Sequence, residues 1–180
     1  MDYLAFVDKI EKDVKQEDSA SFEEKLVIYS LIRAIKPEVC IETGTHFGKT
    51  ALYIAHALYD NKKGHLWTVD PNEHFASEAV RYFNRYPELK KFITFQKIKG
   101  EDLKVKDIDF AFIDSFHEKE VVMGEIKNLF PRLSKHAIVI FHDCSLKVEN
   151  MVNEAIKEAK LKTVWIPTQN RIRIYENSGI

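Results

Sequence analysis

From residue 37 onward, short apolar runs alternate with stretches in which apolar residues recur every three or four positions. This alternation constrains the fold more than any other feature of the chain. Apolar runs buried on both faces and joined by helices are typical of a parallel β-sheet with crossover helices. The predicted strands are residues 39–43, 66–70, 92–98, 108–114 and 137–143. The predicted helical stripes are Ala51, Ile54, Ala55 and Leu58, then Ala76, Val80 and Phe83, then Val122, Ile126, Leu129 and Leu133, and finally Val148, Met151, Val152, Ala155, Ile156 and Ala159.

The two ends of the chain depart from this alternation. Residues 163–167 and 171–176 both have strand patterns, and the three residues between them are too few for a crossover, so an antiparallel hairpin is predicted. Two helices are predicted before the first strand, and the second begins near Ser21, where Ser21 and Glu24 have the S-x-x-E spacing of a capping box. The expected fold is α/β, with a doubly wound, mostly parallel seven-stranded sheet closed by the hairpin.

Charge and hydropathy exclude several classes of protein. Lys and Arg number 27 against 28 Asp and Glu, so the chain lacks the basic surplus that nucleic-acid binding requires. No apolar run approaches the roughly 20 residues of a membrane span. The first residues are acidic where a signal peptide is positively charged. We therefore expect one cytoplasmic domain, residues 1–180, with residues 1–36 as a helical cap on a core of residues 37–180, and neither nucleic acid nor membrane as a partner.

Polar side chains end four of the predicted parallel strands. Glu42 lies at the end of the first, Asp70 of the second, Asp114 of the fourth, and His142 and Asp143 of the fifth. Ligands bind beyond the carboxyl ends of the strands in doubly wound sheets. A carboxylate at the end of a buried strand is costly unless it meets water, a cation or a ligand. Four strands that end in this way predict a polar cleft.

The loop after the first strand, GTHFGKT at residues 44–50, was compared with three ligand-binding patterns. A phosphate loop has four residues between its first glycine and the Gly-Lys pair, whereas Gly44 and Gly48 are separated by three. A dinucleotide fingerprint has glycine at position 46, where this chain has His46. The pattern E-x-G-x-x-x-G fits without change. It provides a carboxylate, Glu42, for a cationic amine, and two glycines for a tight turn and a close approach of ligand to the start of a helix.

These residues resemble the first motif of the class I S-adenosylmethionine-dependent methyltransferases. Residues 37–176 are similar to the small O-methyltransferases of the catechol O-methyltransferase and macrocin types, which implies a Rossmann-like core. In that family an acidic residue at the position of Asp70 binds the two ribose hydroxyls, and the KGED stretch at residues 99–102 lies where a loop contacts adenine. His46 either contacts the ligand or only fills the turn. The cofactor-binding residues that the resemblance implies are Glu42, Gly44, Thr45, His46, Gly48, Asp70, Gly100, Glu101, Asp102 and Asp114.

The resemblance implies a second site for the methyl acceptor. The stretch IDSFHEKE at residues 113–120 is similar to a segment of the macrocin-type enzymes and places Asp114 and His117 in the acceptor cleft. Many relatives hold a divalent cation there, and the matching ligands in this chain are Asp114, His142 and Asp143. Two residues depart from the pattern, because Phe116 stands where an acid is frequent and His142 replaces one acid of a pair.

Two interpretations of this second site remain open. A site of two carboxylates and a histidine leans from Mg²⁺ towards Mn²⁺, Fe²⁺ or Zn²⁺. Alternatively, the protein works without a metal, and His117 or His142 is the general base. A third, non-catalytic role is also open for Asp143, which could simply cap the following helix.

The resulting hypothesis is methyl transfer from S-adenosylmethionine to an oxygen of a small hydroxylated acceptor. One alternative is a nucleotide-binding kinase or NTPase with Lys49 and Thr50 on phosphates; otherwise we expect these two side chains to face solvent or the methionine carboxylate. Another alternative is a module that binds the cofactor without turnover, which the missing acid at Phe116 favours. The two leading helices suit either a roof over the acceptor cleft or the interface of a homodimer.

Overall fold

A seven-stranded sheet forms the centre of the protein in this computed structural model, which describes residues 2–14, 20–144 and 150–178. Its strands are β1 (Val39–Thr43), β2 (His65–Val69), β3 (Ile93–Gln96), β4 (Ile108–Ile113), β5 (Leu133–Phe141), β6 (Thr163–Ile166) and β7 (Ile172–Glu176). The order across the sheet is β3-β2-β1-β4-β5-β7-β6. The first five strands are parallel, and β7 pairs antiparallel with both β5 and β6. The predicted fold class is therefore confirmed.

Seven α-helices accompany the sheet in the described residues. They are α1 (Tyr3–Asp13), α2 (Phe22–Ile35), α3 (Lys49–Asn61), α4 (Glu73–Asn84), α5 (Pro87–Lys90), α6 (Lys119–Leu129) and α7 (Met151–Glu158). The capping box of α2 is confirmed, because Ser21 Oγ accepts from Glu24 N at 3.3 Å while Glu24 Oε2 accepts from Ser21 N at 2.7 Å. Val148, which the sequence pattern assigned to α7, lies outside the described residues.

Some predicted boundaries were wrong. Leu133, assigned from its spacing to the stripe of α6, is the first residue of β5, because it pairs with Ile108 ahead of an irregularity in the register of β4 and β5. The third strand is shorter than predicted. The single-turn helix α5 was not expected; it has proline at one of its first positions, where a missing N–H costs no helical hydrogen bond.

The apolar core lies on both faces of the sheet. On one face, Phe6 and Ile10 of α1 and Ile28 and Ile32 of α2 belong to the same buried cluster as α3. On the other face, α6 and α7 cover the sheet. The chain turns from β1 to β2 on one side and later to β4 on the other, so β1 and β4 flank the switch point where a doubly wound sheet opens a crevice. In the described ranges, no helix has the length and apolar character needed to cross a membrane.

Candidate active site

A cavity of about 300 Å³ opens beyond the carboxyl ends of β1, β2 and β4. The switch point of the sheet predicts a crevice at this place. The residues from the sequence analysis that line it are Gly44, Thr45, His46, Lys49, Thr50, Asp70, Asp114, Phe116 and His117. Aromatic side chains that the sequence analysis did not assign to the donor site, among them Phe47 and Phe75, form part of its wall. The cavity thus combines an apolar wall with carboxylates, as small-molecule sites commonly do.

The loop from β1 to α3 depends on its two glycines. Gly44 has a φ of +84°, and a Cβ at this position would lie 2.0 Å from the backbone oxygen of Asp114. Gly48 has a φ of +79°, and a Cβ there would lie 2.6 Å from the ring of Phe83. Gly48 is also the N-cap of α3, so the amide-rich end of that helix adjoins the cavity. The turn fits only glycine at both positions.

The side chain of Asp70 lines the cavity and is held in place by the loop that follows β1. Its Oδ2 accepts from the backbone N–H of His46 at 2.8 Å, and its Oδ1 accepts from the backbone N–H of Asn72 at 2.9 Å. The side chain is 6% exposed and lines the cavity. Each carboxylate oxygen can accept a further hydrogen bond, so Asp70 can bind two hydroxyl groups of a ligand.

Glu42 occupies a different place from the one that the sequence suggested. It is 1% exposed and lies behind the cavity wall, where its Oε2 accepts from Thr68 Oγ1 at 2.5 Å. Thr68 Oγ1 in turn lies 2.5 Å from Thr45 Oγ1, within the loop. Burial raises the pKa of Glu42 well above its usual range. Glu42 thus supports the loop through Thr68 and Thr45, and its contact with a cationic amine stays a prediction.

Residues 100–102, expected to contact adenine, form a 3₁₀ turn outside the cavity. Gly100 is buried, and a Cβ there would lie 2.1 Å from Glu125 Oε1. Glu101 and Asp102 are exposed. The cavity formed by the described residues has none of these three in its wall. Gly100 is therefore explained by packing against α6.

Four side chains from two strand ends meet beside the cavity. Potential metal-ligand atoms of Asp114, His117, His142 and Asp143 all lie within 4.8 Å of one another. The shortest separation is 2.7 Å, between His142 Nδ1 and Asp114 Oδ1. His117 lies between the two acids, with Nε2 3.4 Å from Asp114 Oδ1 and Nδ1 3.3 Å from Asp143 Oδ2. The sequence analysis named all four residues, and the fold brings them together.

Backbone contacts explain how these four side chains converge. The N–H of Asp114 donates to Thr43 O at 3.1 Å, and the N–H of His142 donates to Ile113 O at 3.1 Å, so the ends of β1, β4 and β5 are aligned. Asp143 has a φ of +51°, a strained conformation for a residue with a side chain. It does not cap α7. That role belongs to Asn150, whose side chain accepts from the backbone of α7 and also donates to Asp143 O at 2.6 Å.

The charges of this cluster shift its pKa values in opposite directions. Burial lowers the pKa of His142, but the charges of Asp114 and Asp143 and the contact with Glu24 outweigh it and raise the pKa well above the usual range. Burial also lowers the pKa of His117, but Asp114 and Asp143 outweigh it and raise the pKa. The two imidazoles hold the pKa of Asp114 below its ordinary value against burial. Without a bound cation, the two imidazoles therefore hold their protons more readily than usual, and a metal ion would bind in competition with these protons.

The cluster also fits a divalent cation. Nδ1 of His142 is buried and, within the described part of the chain, has no hydrogen-bond partner. It lies close to Asp114 Oδ1 without the alignment of a hydrogen bond. Two carboxylates and an imidazole around one point form a donor set suited to Mn²⁺, Fe²⁺, Co²⁺ or Zn²⁺.

Sequence reasoning missed Glu24 as a part of this site. Glu24 of α2 is fully buried, and its Oε2 lies 3.0 Å from His142 Nε2. Its Oε1 accepts from Thr168 Oγ1 at 2.6 Å and from Asn170 N at 3.0 Å. Burial would raise the pKa of Glu24, but its contacts with His142 and these donors lower it to about 2. The capping box already explained Glu24 in the sequence, so nothing there indicated a second role.

Lys49 was expected at solvent or at a ligand carboxylate, and the solvent alternative is wrong. Its side chain is buried, lines the cavity, and forms an ion pair with Glu11 Oε2 at 2.8 Å. Glu11 also accepts from Lys25 Nζ at 3.0 Å and from Tyr53 OH at 2.8 Å. This network ties α1 and α2 to the first turns of α3, beside the cavity.

A buried carboxyl on α6 makes stability depend on pH. Burial raises the pKa of Glu125 to about 7, and the facing hydroxyls of Ser115 and Thr43 oppose the shift without reaching hydrogen-bond geometry. Between about pH 4.5 and about pH 7 the unfolded chain loses this proton while the folded chain retains it. The free energy of unfolding should therefore fall as pH rises through this window and then level off.

We expect Glu125→Gln to remove this dependence. The variant should equal the wild type below the window and be more stable above it by up to about 3 kcal/mol, since one pKa unit is worth about 1.4 kcal/mol. Denaturant unfolding on both sides of the window measures the difference. Glu120→Gln, an exposed change on the same helix, is the control and should leave the pH profile as it is. Parallel profiles for wild type and Glu125→Gln would contradict the assignment.

Comparisons with known proteins agree with this geometry. A family model described as "Methyltransferase domain" matches residues 41–144, which include both glycines of the loop, Asp70 and the four-residue cluster. A protein of Sinorhizobium fredii described as uncharacterized is 22% identical over an alignment of 130 residues that covers 65% of this chain. The chain spans only 14% of the length of that relative.

Solved structures share the whole architecture. An S-adenosylhomocysteine-bound methyltransferase of Podospora anserina superposes with a TM-score of 0.75 at 14% identity, covering 95% of this chain and 85% of that one. An O-methyltransferase of Bacillus cereus, also in complex with S-adenosylhomocysteine, superposes with a TM-score of 0.73 at 13% identity. The superposition covers 96% of this chain and 90% of that one. At such identities these likenesses establish the fold, and the family match covers more than half of the chain. The chain therefore belongs to the methyltransferase-domain family.

Proposed function

We propose that this protein transfers the methyl group of S-adenosylmethionine to a hydroxyl oxygen of a small acceptor. The observation that carries the proposal is the placement of two sites side by side. The cavity around Gly44 and Asp70 adjoins the cluster of Asp114, His117, His142 and Asp143. Both solved relatives described above were crystallised with S-adenosylhomocysteine, the product that such a donor leaves.

The donor site binds and orients by means of the residues of the cavity. Asp70 accepts hydrogen bonds from the ribose hydroxyls, and its two bonds to the loop backbone keep both oxygens in place. The start of α3 provides backbone N–H groups for the methionine carboxylate. Phe75 and Phe47 exclude water from one side of the cavity. Glu42 acts indirectly, through Thr68 and Thr45.

The donor supplies an electrophilic methyl carbon, because its sulfur carries a positive charge. The acceptor oxygen forms a bond to that carbon, the sulfur retains the electron pair of the broken bond, and the hydroxyl proton must leave. His117 is the proposed general base. Its side chain is 41% exposed and lines the cavity, so an acceptor can reach it. The side chain of His142, by contrast, is only 4% exposed and does not line the cavity, so an acceptor cannot reach it for proton transfer.

Asp114, His142 and Asp143 are the proposed ligands of a divalent cation. A cation held there would stabilise the negative charge that develops on the acceptor oxygen. The buried Nδ1 of His142 and the two carboxylates support this choice. Because one ligand is an imidazole, we favour Mn²⁺, Fe²⁺, Co²⁺ or Zn²⁺ over Mg²⁺.

The nucleotide-binding alternative is disfavoured by the position of Lys49. A phosphate-binding lysine needs a mobile, accessible ammonium group, whereas Lys49 is buried against Glu11. We propose a single methyltransferase domain, supported by the shared core of α1, α2 and α3. A small-molecule acceptor agrees with the modest size of the cavity. A cytoplasmic location and a homodimer stay predictions.

Thermal unfolding with S-adenosylhomocysteine, with and without Mn²⁺, tests the proposal. The compound should raise the melting temperature by itself, since a ligand that binds only the folded state stabilises it. Mn²⁺ should add a further increase if the cluster binds metal. ATP should give no shift. Stabilisation by ATP in place of S-adenosylhomocysteine would contradict the proposed donor.

A further inference from the structure

Glu24 connects the N-terminal helices to the proposed metal site. We propose that Glu24 is a positioning residue for the metal ligand His142: it fixes the hydrogen on Nε2 and so presents Nδ1 to the cation. The inference rests on the proposed metal site described above. It assigns to α2, a helix outside the family match at residues 41–144, a role in metal affinity and in metal selectivity.

The hydrogen bonds around Glu24 fix the direction of its contact with His142. Oε1 accepts from Asn170 N at 3.0 Å and Thr168 Oγ1 at 2.6 Å, and Oε2 accepts from Ser21 N at 2.7 Å. Both oxygens thus accept from backbone N–H groups, which cannot act as acceptors themselves. An ionised carboxylate has no hydrogen to donate, so His142 Nε2 is the donor in its 3.0 Å contact with Glu24. The amide Nδ2 of Asn170 also lies 3.5 Å from His142 Nε2, but it is closer to Glu24 Oε2, to which it donates at 3.3 Å.

A hydrogen on Nε2 leaves Nδ1 as the coordinating nitrogen. Nδ1 lies on the opposite side of the ring, 2.7 Å from Asp114 Oδ1 and 3.6 Å from Asp143 Oδ2. A histidine that donates its other N–H to a carboxylate is the usual arrangement at a metal, because it fixes both tautomer and ring orientation and increases the basicity of the ligand. Glu24, which lies 118 positions before His142 in the chain, supplies that carboxylate.

The consequence is selectivity for borderline cations. A fixed imidazole nitrogen favours Mn²⁺, Co²⁺ and Zn²⁺, whereas Mg²⁺ prefers oxygen ligands and retains several waters. Without Glu24 the imidazole would lose its fixed orientation, and the site would approach a two-carboxylate site. We therefore expect the wild type to bind Mn²⁺ at least about tenfold more tightly than Mg²⁺, and Glu24→Gln to reduce that ratio.

Calorimetric titration of the apoprotein with Mn²⁺ and Mg²⁺ tests the inference directly. Glu24→Gln retains the size of the side chain, but its amide N–H₂ group would face N–H and O–H groups that donate to Glu24 in the wild type. His142 would then be held less well, and Mn²⁺ affinity should fall about 10-fold to 100-fold. Ser21→Ala is the matched control. It removes the other half of the capping box and destabilises α2, but it retains the backbone N–H on Glu24 and should leave Mn²⁺ affinity unchanged.

The visible absorption of bound Co²⁺ provides a second measurement, because it responds to ligand set and geometry and not to helix stability. It should change in Glu24→Gln and not in Ser21→Ala. Equal Mn²⁺ affinity in wild type and Glu24→Gln, or equal loss in Ser21→Ala, would overturn the inference, as would a wild type that binds no Mn²⁺. Stabilisation by S-adenosylhomocysteine, measured on the same samples, shows whether the proposed donor site still holds in that case.

Discussion

Asp70→Ala is expected to weaken S-adenosylhomocysteine binding about 100-fold or more. The carboxylate is proposed to accept two ribose hydroxyl hydrogen bonds, and hydrogen bonds to a charged group contribute about 1.5–3 kcal/mol each. The loss should exceed the value for one contact, because the loop amides of His46 and Asn72 also lose their acceptor. Isothermal titration calorimetry measures the change.

Asp102→Ala is the matched control for this experiment. Asp102 is also an acidic residue that follows a strand of the sheet, but it is exposed and lies outside the cavity wall. Its loss should change the affinity little. Asp70→Asn adds a third point, because the amide retains one oxygen acceptor for the loop and removes the charge. Unchanged affinity in Asp70→Ala would show that the donor does not bind in this cavity.

His117→Gln should lower kcat about 10²-fold to 10⁴-fold, the range that a positioned general base contributes. The affinity for S-adenosylhomocysteine should stay near that of the wild type, because His117 is proposed to contact the acceptor and not the donor. The glutamine side chain is similar in size and fits a partly exposed position, so folding should be preserved. Product formation at saturating donor and Mn²⁺ is the measurement.

His136→Gln is the control for loss of a histidine. His136 is exposed, and its Nδ1 lies 2.9 Å from Glu176 Oε1, near the end of β5 that is opposite to His142. The turnover number of His136→Gln should match that of the wild type. If His117→Gln retained wild-type kcat, the proton would have to leave by another route, and His117 would be only a part of the cavity wall.

The sequence was sufficient to predict the sheet, because periodicity and strand-end polarity depend on neighbouring residues alone. Strand-end polarity alone predicted that Asp70, Asp114, His142 and Asp143 lie in a polar cleft, whereas His117 and the roles of these residues came from the family resemblance. Leu133 was misassigned because its spacing suits a helix, whereas pairing with Ile108 across the sheet decides its place. Local spacing contains no information about such a partner.

Three contacts of the site have partners that local sequence patterns do not reveal. Glu42, Lys49 and Glu24 are charged residues whose partners lie far away in the sequence, so their burial could not be foreseen from composition. Glu42 was predicted as a ligand contact, and the structure adds a partner for it within the protein, Thr68. Gly100 was predicted to contact adenine, and the structure adds close packing against Glu125.

The contact of Gly44 with the backbone of Asp114 limits how this protein can be engineered. Even a methyl group at Gly44 would meet the backbone oxygen of Asp114 at 2.0 Å. A side chain at position 44 would therefore also displace Asp114, which belongs both to the cavity lining and to the candidate metal cluster. Phe116, 63% exposed at the mouth of the cavity, has no such constraint, so libraries that aim at new acceptors should vary this residue first.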